Sequence, residues 1–311
     1  MSWCLLGATV RFDGAHKRSD FLVDTLGKFV EFVPICPEVE IGLGVPRETL
    51  RLVSDGDLPG KSRLVGNQTG ADHTDAMNSF AERRVLALGT ERLSGYVLKK
   101  DSPSCGMERV RVYTSFGKST RDGAGLFAAA LMRRYPSLPV EEEARLKDPV
   151  LRDNFIERVF AYRRLRSFFS SRWTLGGLVR FHNAHKLVLM AHSPKAYGEL
   201  RQIVGDAKRL PRRVVIERYE LGFMKAVKKI ATTARQTNVL HHMLGYLRLH
   251  LDRDSLEKMI ALIDDYRRGR IPLVVPITLL GHYARMFNIA DLREQVYLQP
   301  HPGELMLRNH V

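Results

Sequence analysis

All three cysteines of this 311-residue chain lie within its first 105 residues, each in a short apolar segment broken by glycine or proline. The segments are Trp3-Cys4-Leu5-Leu6-Gly7, Pro34-Ile35-Cys36-Pro37-Glu38 and Ser102-Pro103-Ser104-Cys105-Gly106. Three thiols cannot pair off, so no disulfide framework holds the chain together and its stability must come from ordinary apolar cores. The length suits two domains of about 150 residues each. Successive cysteines are 32 and 69 residues apart, with none of the Cys-x-x-Cys spacing that marks structural zinc. Three ligands on three distant loops suit a larger, polyatomic centre such as an iron–sulfur cluster. The competing reading is that each thiol is a small buried hydrophobe.

Residues 1–145 alternate strand and helix patterns. Apolar clustering marks 29–35 and 95–98 as strands, and three- and four-residue spacing marks 74–88 and 123–134 as helices. This alternation predicts an α/β domain with an open, mostly parallel sheet and flanking helices. Cys36 and Cys105 then each follow a strand, where ligands gather in such folds. Gly66-Asn67-Gln68-Thr69-Gly70 and Gly123-Ala124-Gly125 match no phosphate-loop or dinucleotide signature and read as loops. Prolines and the acidic run Glu141-Glu142-Glu143 interrupt the pattern over 136–149, which places the domain boundary between 145 and 146. Residues 146–311 read as an all-α helical bundle, with helices at 150–169, 175–192, 214–231, 239–250 and 255–268.

Three segments carry a family likeness: Cys4-Leu5-Leu6-Gly7-Ala8-Thr9-Val10-Arg11-Phe12-Asp13-Gly14, Val33-Pro34-Ile35-Cys36-Pro37-Glu38 through Gly42-Leu43-Gly44-Val45-Pro46-Arg47, and Lys99-Lys100-Asp101-Ser102-Pro103-Ser104-Cys105-Gly106. In order and spacing they resemble the signature blocks of TudS-type thiouracil desulfidases, with Gly70-Ala71-Asp72-His73-Thr74 as a weaker fourth. The resemblance implies a 4Fe–4S cluster held by Cys4, Cys36 and Cys105, with one iron left open to bind a soft thiocarbonyl sulfur as a Lewis acid. It also implies removal of that sulfur by C–S hydrolysis, releasing sulfide without net oxidation or reduction. Proton transfers then fall to side chains. Glu38 matches the glutamate of the family's Cys-Pro-Glu motif, Ser102 the first serine of Ser-Pro-Ser-Cys, and Asp13 in Arg-Phe-Asp-Gly is a third candidate. Each also has a plain structural reading: Glu38 as a helix cap, Ser102 in a turn with Pro103, and Asp13-Gly14 as a turn dipeptide. Relatives usually carry several strand-forming residues before the first cysteine, whereas only Met1-Ser2-Trp3 precedes Cys4 here. Either that strand is short or the start lies upstream, and a frayed end would hold a ligand poorly.

Charge divides the chain. Residues 1–145 hold 20 basic and 19 acidic side chains, a net of +1, while 146–311 hold 29 and 15, a net of +14. The excess concentrates in Arg163-Arg164-Leu165-Arg166, Lys208-Arg209-Leu210-Pro211-Arg212-Arg213 and Arg267-Arg268-Gly269-Arg270, with aromatic residues nearby. Such runs are often solvated helix faces, but an excess of this size repels itself and suits a polyanion such as RNA. Arg163, Arg164, Arg166, Lys186, Arg212 and Arg213 are the candidate RNA contacts. The segments from Phe181 to Pro194 and from Arg270 to Tyr283, with a shorter one from Asn238 to Tyr246, resemble the helical domain fused behind the desulfidase in RudS-type tRNA 4-thiouridine desulfidases. The pairing implies thiolated tRNA as substrate and uridine as product. His182, His185 and His192 share one helical face; hydrogen bonding within the bundle outranks metal or RNA contact for them. No run of about 20 apolar residues and no secretory signal is evident, so the expectation is a cytoplasmic protein with no membrane or protein partner. Two alternatives stay open: a non-catalytic iron–sulfur protein that binds RNA or senses redox state, and a desulfidase of free thiouracil or thiouridine nucleotides.

Overall fold

A computed structural model describes residues 1–54, 62–114, 118–305 and 307–310 of the chain. Backbone contacts divide it into two compact units, Met1–Lys147 and Asp148–Val311. Among the described residues no helix is long and apolar enough to cross a membrane.

The first α-helix of the first unit is a single turn, α1 (Pro37–Glu40), followed by strands β1 (Leu50–Ser54) and β2 (Ser62–Gly66) and helix α2 (Thr74–Ala87). Strands β3 (Tyr96–Leu98), β4 (Val110–Tyr113) and β5 (Ser119–Gly123), helix α3 (Leu126–Arg134) and strand β6 (Val140–Glu142) complete it. The strands form two sheets. One is mixed, in the order β2-β1-β4-β5, with β1 parallel to β4 and both outer pairs antiparallel; the other pairs β3 with β6 in parallel. The sheet content is therefore mixed rather than mostly parallel.

The chain start extends the parallel pair. Ser2 N donates to Val97 O at 3.0 Å, Trp3 N to Ile35 O at 2.9 Å, and Ile35 N to Met1 O at 3.0 Å. Residues 1–3 are thus tied on both sides, and Cys4 leaves directly from this rung. Residues 29–35 are not a strand: only Ile35 bridges, to Ser2. Pro34 has no N–H for a ladder, and 29–34 stay partly exposed while Ile35 alone is buried.

Of the acidic run expected to interrupt structure, Glu141 and Glu142 belong to strand β6 and Glu143 follows it directly. Its carboxylates are satisfied one by one. Glu141 takes Arg145 Nε at 2.7 Å, Glu142 takes Met107 N at 2.9 Å, and Glu143 takes Lys99 Nζ and Lys100 N at 2.6 and 2.8 Å. Helix α3 starts at Leu126 instead of 123 because β5 runs through Gly123. A Cβ on Gly125 would sit 2.5 Å from Ser104 backbone atoms, so only glycine lets α3 close on the Cys105 loop.

The second unit is helical. It comprises α4 (Pro149–Ser170), α5 (Leu175–Ala184), α6 (Lys186–His192), α7 (Pro194–Asp206), α8 (Arg212–Lys228), α9 (Thr233–Leu247), α10 (Arg253–Arg267), α11 (Val274–Met286) and α12 (Ala290–Arg293). The helix expected over 175–192 breaks at His185, where ψ is 5°. There Nδ1 of His185 bonds the Phe181 carbonyl at 2.8 Å, competing with the helical backbone for that acceptor. Ser193-Pro194 ends α6 and starts α7: Ser193 Oγ accepts Ala196 N at 3.3 Å and Pro194 occupies the first turn.

Candidate active site

Three local devices present the cysteines. Cys4 sits in a 3₁₀ turn, Trp3–Leu6, that closes at Gly7 with φ +98°. Cys36 caps α1, with Pro37 at its first position preset for the helix. Cys105 ends a turn in which Ser102 Oγ accepts the N–H of Ser104 at 3.3 Å and of Cys105 at 3.1 Å. The first amides of α3 grip the same loop, Phe127 N and Ala128 N donating to Ser104 O at 3.1 and 3.2 Å.

All three thiols line one cavity of about 400 Å³. Val10, Phe12 and Ile35 supply apolar wall, and Arg11, Lys17, Lys99 and Lys100 supply positive charge. Cys4 and Cys105 are buried and Cys36 half-buried. Burial, then the Glu38 carboxylate and the neighbouring thiols, push Cys105 up to about 12. Burial and then Cys36 push Cys4 up to about 11. Burial raises Cys36 as well, opposed by the N–H groups of Val39 and Glu38 at the start of α1. Cys36 raises both of the other thiols and Cys4 raises Cys105, so the three face one low-dielectric space, and a cationic centre placed there would reverse the effect and ionise them.

Glu38 projects into the same cavity. Its Oε2 accepts Arg47 Nε at 3.0 Å and Nη2 at 2.6 Å, and its Oε1 accepts Ser104 Oγ at 2.6 Å. Arg47, whose side chain is 7% exposed, also donates to Val10 O at 3.0 Å and Gly44 O at 3.2 Å. Ser104 Oγ lies 3.0 Å from Ser102 Oγ. Proton counting orients this chain: the single hydroxyl proton of Ser104 goes to Glu38, so Ser102 donates to Ser104 while accepting two amides. Arg47, Glu38, Ser104 and Ser102 therefore form one continuous string along the cavity wall. Glu38 is not a cap, since it lies inside the first turn of α1. Ser102 holds its turn and faces the cavity at once.

Asp13 lies apart. Its exposed carboxylate accepts Ala15 N at 3.1 Å and pairs with Arg11 at 3.3 Å, which lowers its pKa, and it does not line the cavity. Ser104 and Arg47 are the site residues that motif reading passed over. Both stand inside the quoted motifs, but nothing in the chain shows that they meet Glu38 from 66 and 9 residues away.

The basic candidates of the second unit separate by environment. Arg163, Arg166 and Arg213 are exposed, the last two beside Glu220 at 3.7 Å and Glu217 at 2.8 Å. Arg212 lies over the Trp173 ring at 4.7 Å, and Lys186 donates to Tyr246 OH at 3.3 Å. Arg164 is turned inward. It donates to Pro300 O at 2.7 Å and His185 Nε2 at 3.4 Å, and burial pulls it down to about 10, so it is not on a surface that a polyanion meets. The histidines bond internally: His182 Nδ1 with Tyr219 OH at 3.1 Å, His185 with Phe181 O, and His192 with Lys229 O and Glu157. Burial pulls His182 down to about 4 and His185 to about 3, so both rings are neutral at pH 7.

A family model described as 2-thiouracil desulfurase matches residues 1–143, and one described as a protein of unknown function (DUF1722) matches 186–302. The uncharacterized protein YbgA of Escherichia coli (strain K12) is 32% identical over 158 residues, covering 50% of this chain and 94% of its own. The uncharacterized protein YbbK of Bacillus subtilis (strain 168) is 29% identical over 134 residues, covering 42% of this chain and 87% of its own. Among solved structures, the [4Fe-4S]-dependent thiouracil desulfidase TudS is 32% identical with a TM-score of 0.38, covering 47% of this chain and 91% of that one. The chain belongs to the 2-thiouracil desulfurase family through residues 1–143, and a DUF1722 domain follows in the same polypeptide over residues 186–302.

Proposed function

We propose that this protein hydrolyses the C4–S bond of 4-thiouridine in tRNA, water supplying the oxygen of uridine and the sulfur leaving as sulfide, with no net redox change. The observation that carries this reading is the meeting of Cys4, Cys36 and Cys105 with the Glu38–Ser104–Ser102 string at one cavity. The residues fit a 4Fe–4S cluster. Among the described residues no three His, Cys, Asp or Glu side chains are gathered as a single metal ion requires, whereas three separated thiols around a cavity suit a polyatomic centre. The flanking Arg11, Lys17, Lys99 and Lys100 offset the negative charge of a thiolate-held cluster. When bound, such a cluster supplies an iron without a protein thiolate, a soft Lewis acid for thiocarbonyl sulfur.

The protein side chains do the rest. Trp3 and Phe12, both partly exposed on the cavity wall, offer ring faces for a flipped pyrimidine. Glu38 takes the proton of the attacking water, and Arg47 holds its carboxylate in place by a two-point ion pair. Ser104 links Glu38 to Ser102 at the cavity wall. Ser104→Ala is expected to keep its iron and lose about tenfold or more in turnover, since it cuts the string at its middle. Wild-type rates in an iron-loaded Ser104→Ala protein would remove the hydroxyl string from the chemistry.

The second unit supplies the grip on RNA in this reading, because 146–311 carry nearly all the net charge. With about four phosphate contacts, affinity for tRNA falls roughly 10²-fold between 50 and 200 mM salt. Arg163→Ala combined with Arg213→Ala should flatten that dependence. The deciding experiment incubates anaerobically loaded protein with tRNA rich in 4-thiouridine and measures nucleosides by mass spectrometry. Conversion of 4-thiouridine to uridine is the expected result. Turnover of free thiouracil with intact 4-thiouridine left in tRNA would instead make this a free-base enzyme.

A further inference from the structure

The mixed sheet carries three exposed arginines on three neighbouring strands: Arg51 on β1, Arg111 on β4 and Arg121 on β5. In the β4–β5 register Arg111 stands directly opposite Arg121, and β1 runs parallel beside β4. Like charges facing one another across a ladder weaken it, and among the described residues little nearby neutralises these. Asp101 approaches Arg121 only to 3.9 Å, beyond hydrogen-bond length. Tyr113 lies between the other two, its ring centroid 5.7 Å from the Arg51 guanidinium and 6.0 Å from that of Arg111. Its hydroxyl accepts from Arg111 at 3.4 Å. An aromatic face orients guanidinium groups without cancelling their charge. Three guanidinium groups on one face are complementary to an anion with several acceptor oxygens.

These side chains line a second cavity of about 270 Å³ whose wall shares Leu50, Pro103 and Asp101 with the cysteine cavity. The two spaces are separated by a single ridge. Asp101 stands on that ridge in a left-handed conformation, φ +59°, which aspartate tolerates better than most residues. Chemically, the sequence across the ridge is a ring-binding cavity, then a carboxylate, then three guanidinium groups. A nucleotide presents the same order: base, ribose hydroxyls, phosphate.

We propose that the Arg51–Arg111–Arg121 cavity is a phosphate subsite for the nucleotide whose thiolated base occupies the cysteine cavity, with Asp101 accepting from a ribose hydroxyl. This rests on the reading of the cysteine cavity as the base site. It places selection of a nucleotide over a free base within the first unit, although the charge of residues 1–145 sums to only +1. The phosphate is either a nucleotide monoester or the diester of an RNA strand; the guanidinium groups bind both.

The test is calorimetric binding to the full-length protein, which does not depend on turnover. The probes are uracil, uridine 5′-monophosphate and a pentauridylate, each measured with wild type and with Arg111→Ala/Arg121→Ala. Wild type is expected to bind the monophosphate about tenfold or more tighter than uracil, and the double variant to lose most of that difference. A loss confined to the monophosphate identifies the monoester as ligand; a larger loss on the pentauridylate identifies the RNA backbone. Equal affinities of wild type and variant for both phosphate-bearing probes overturn the proposal, as does a loss of the same size on uracil. Desulfurisation of thiouracil and of 4-thiouridine in tRNA by wild type, assayed in parallel, tests the reading of the cysteine cavity separately: binding that behaves as expected without turnover of either leaves the subsite standing and the desulfidase reading refuted. Thermal melting of the double variant checks its fold. It should melt no lower than wild type, because it removes a repulsive pair.

Discussion

Replacing any one of Cys4, Cys36 or Cys105 with alanine is expected to abolish iron retention. The three side chains come from three loops and meet at one cavity, so removal of one leaves two anchors for a centre that needs three. Wild-type protein reconstituted under anaerobic conditions should hold about four irons and matching acid-labile sulfide, the content of a 4Fe–4S cluster. Each variant should hold less than about a tenth of that load and lose the brown colour. The fold should survive. Cysteine-to-alanine changes remove one small atom from the wall of an existing cavity, a modest loss beside the stability of a domain, and circular dichroism checks this. A fully loaded, active Cys105→Ala protein contradicts the ligand assignment. Burial and mutual repulsion hold the metal-free thiols protonated at pH 7, with Cys4 near 11 and Cys105 near 12. Loading must therefore release protons and proceed faster as pH rises toward those values.

The second large effect belongs to Glu38. Glu38→Gln keeps the shape of the side chain and the acceptor for Ser104, but it cannot take a proton from water. Iron content should stay at the wild-type level while turnover falls about 10²-fold or more. The same variant leaves Arg47 without its ionic partner at 7% exposure. Breaking a buried pair from one side costs about 3 kcal/mol or more, so melting temperature falls along with rate. Arg47→Met in the Glu38→Gln background separates the two effects: it removes the stranded charge and should recover stability without recovering turnover. A double variant that regains both stability and rate would show that Glu38 serves only to hold Arg47.

The motifs exposed part of this site and hid the rest for identifiable reasons. Cys4, Cys36, Cys105, Glu38 and Ser102 were legible because each stands in a short Pro- or Gly-bounded segment that folds locally, and the structure brings all five to one cavity. Ser104 sits beside Ser102, and the serine pair divides the work in a way that depends on where Glu38 lies. That residue is 66 positions away. Asp13, legible as a candidate on the same grounds, is spent on its own turn with Ala15 and Arg11. In the second unit the arginine run at 163–166 reads as one basic patch, yet Arg164 points into the interior while Arg163 and Arg166 do not. A helix turns about 100° per residue, so neighbours in a charge run necessarily face different surroundings.

Composition and short-range periodicity account for three features: three thiols that cannot pair, an α/β pattern giving way to helices, and a basic excess confined to the second half. These follow from covalent chemistry and from the 2.0 and 3.6 repeats of strands and helices, which act within a few residues. Acidic residues 141–143 and the segment 29–35 were misread where that local rule fails. A strand of glutamates is stable only when Arg145, Lys99 and the amides of Met107 and Lys100 neutralise it, and an apolar run pairs only where a partner edge and its own N–H groups allow. Which groups pair emerges only from the packed chain: Arg47 with Glu38, Ser104 between Glu38 and Ser102, and Arg51, Arg111 and Arg121 side by side. Pairing is fixed by strand register and loop closure between residues up to 70 positions apart, and no local pattern encodes a distance of 3 Å between them.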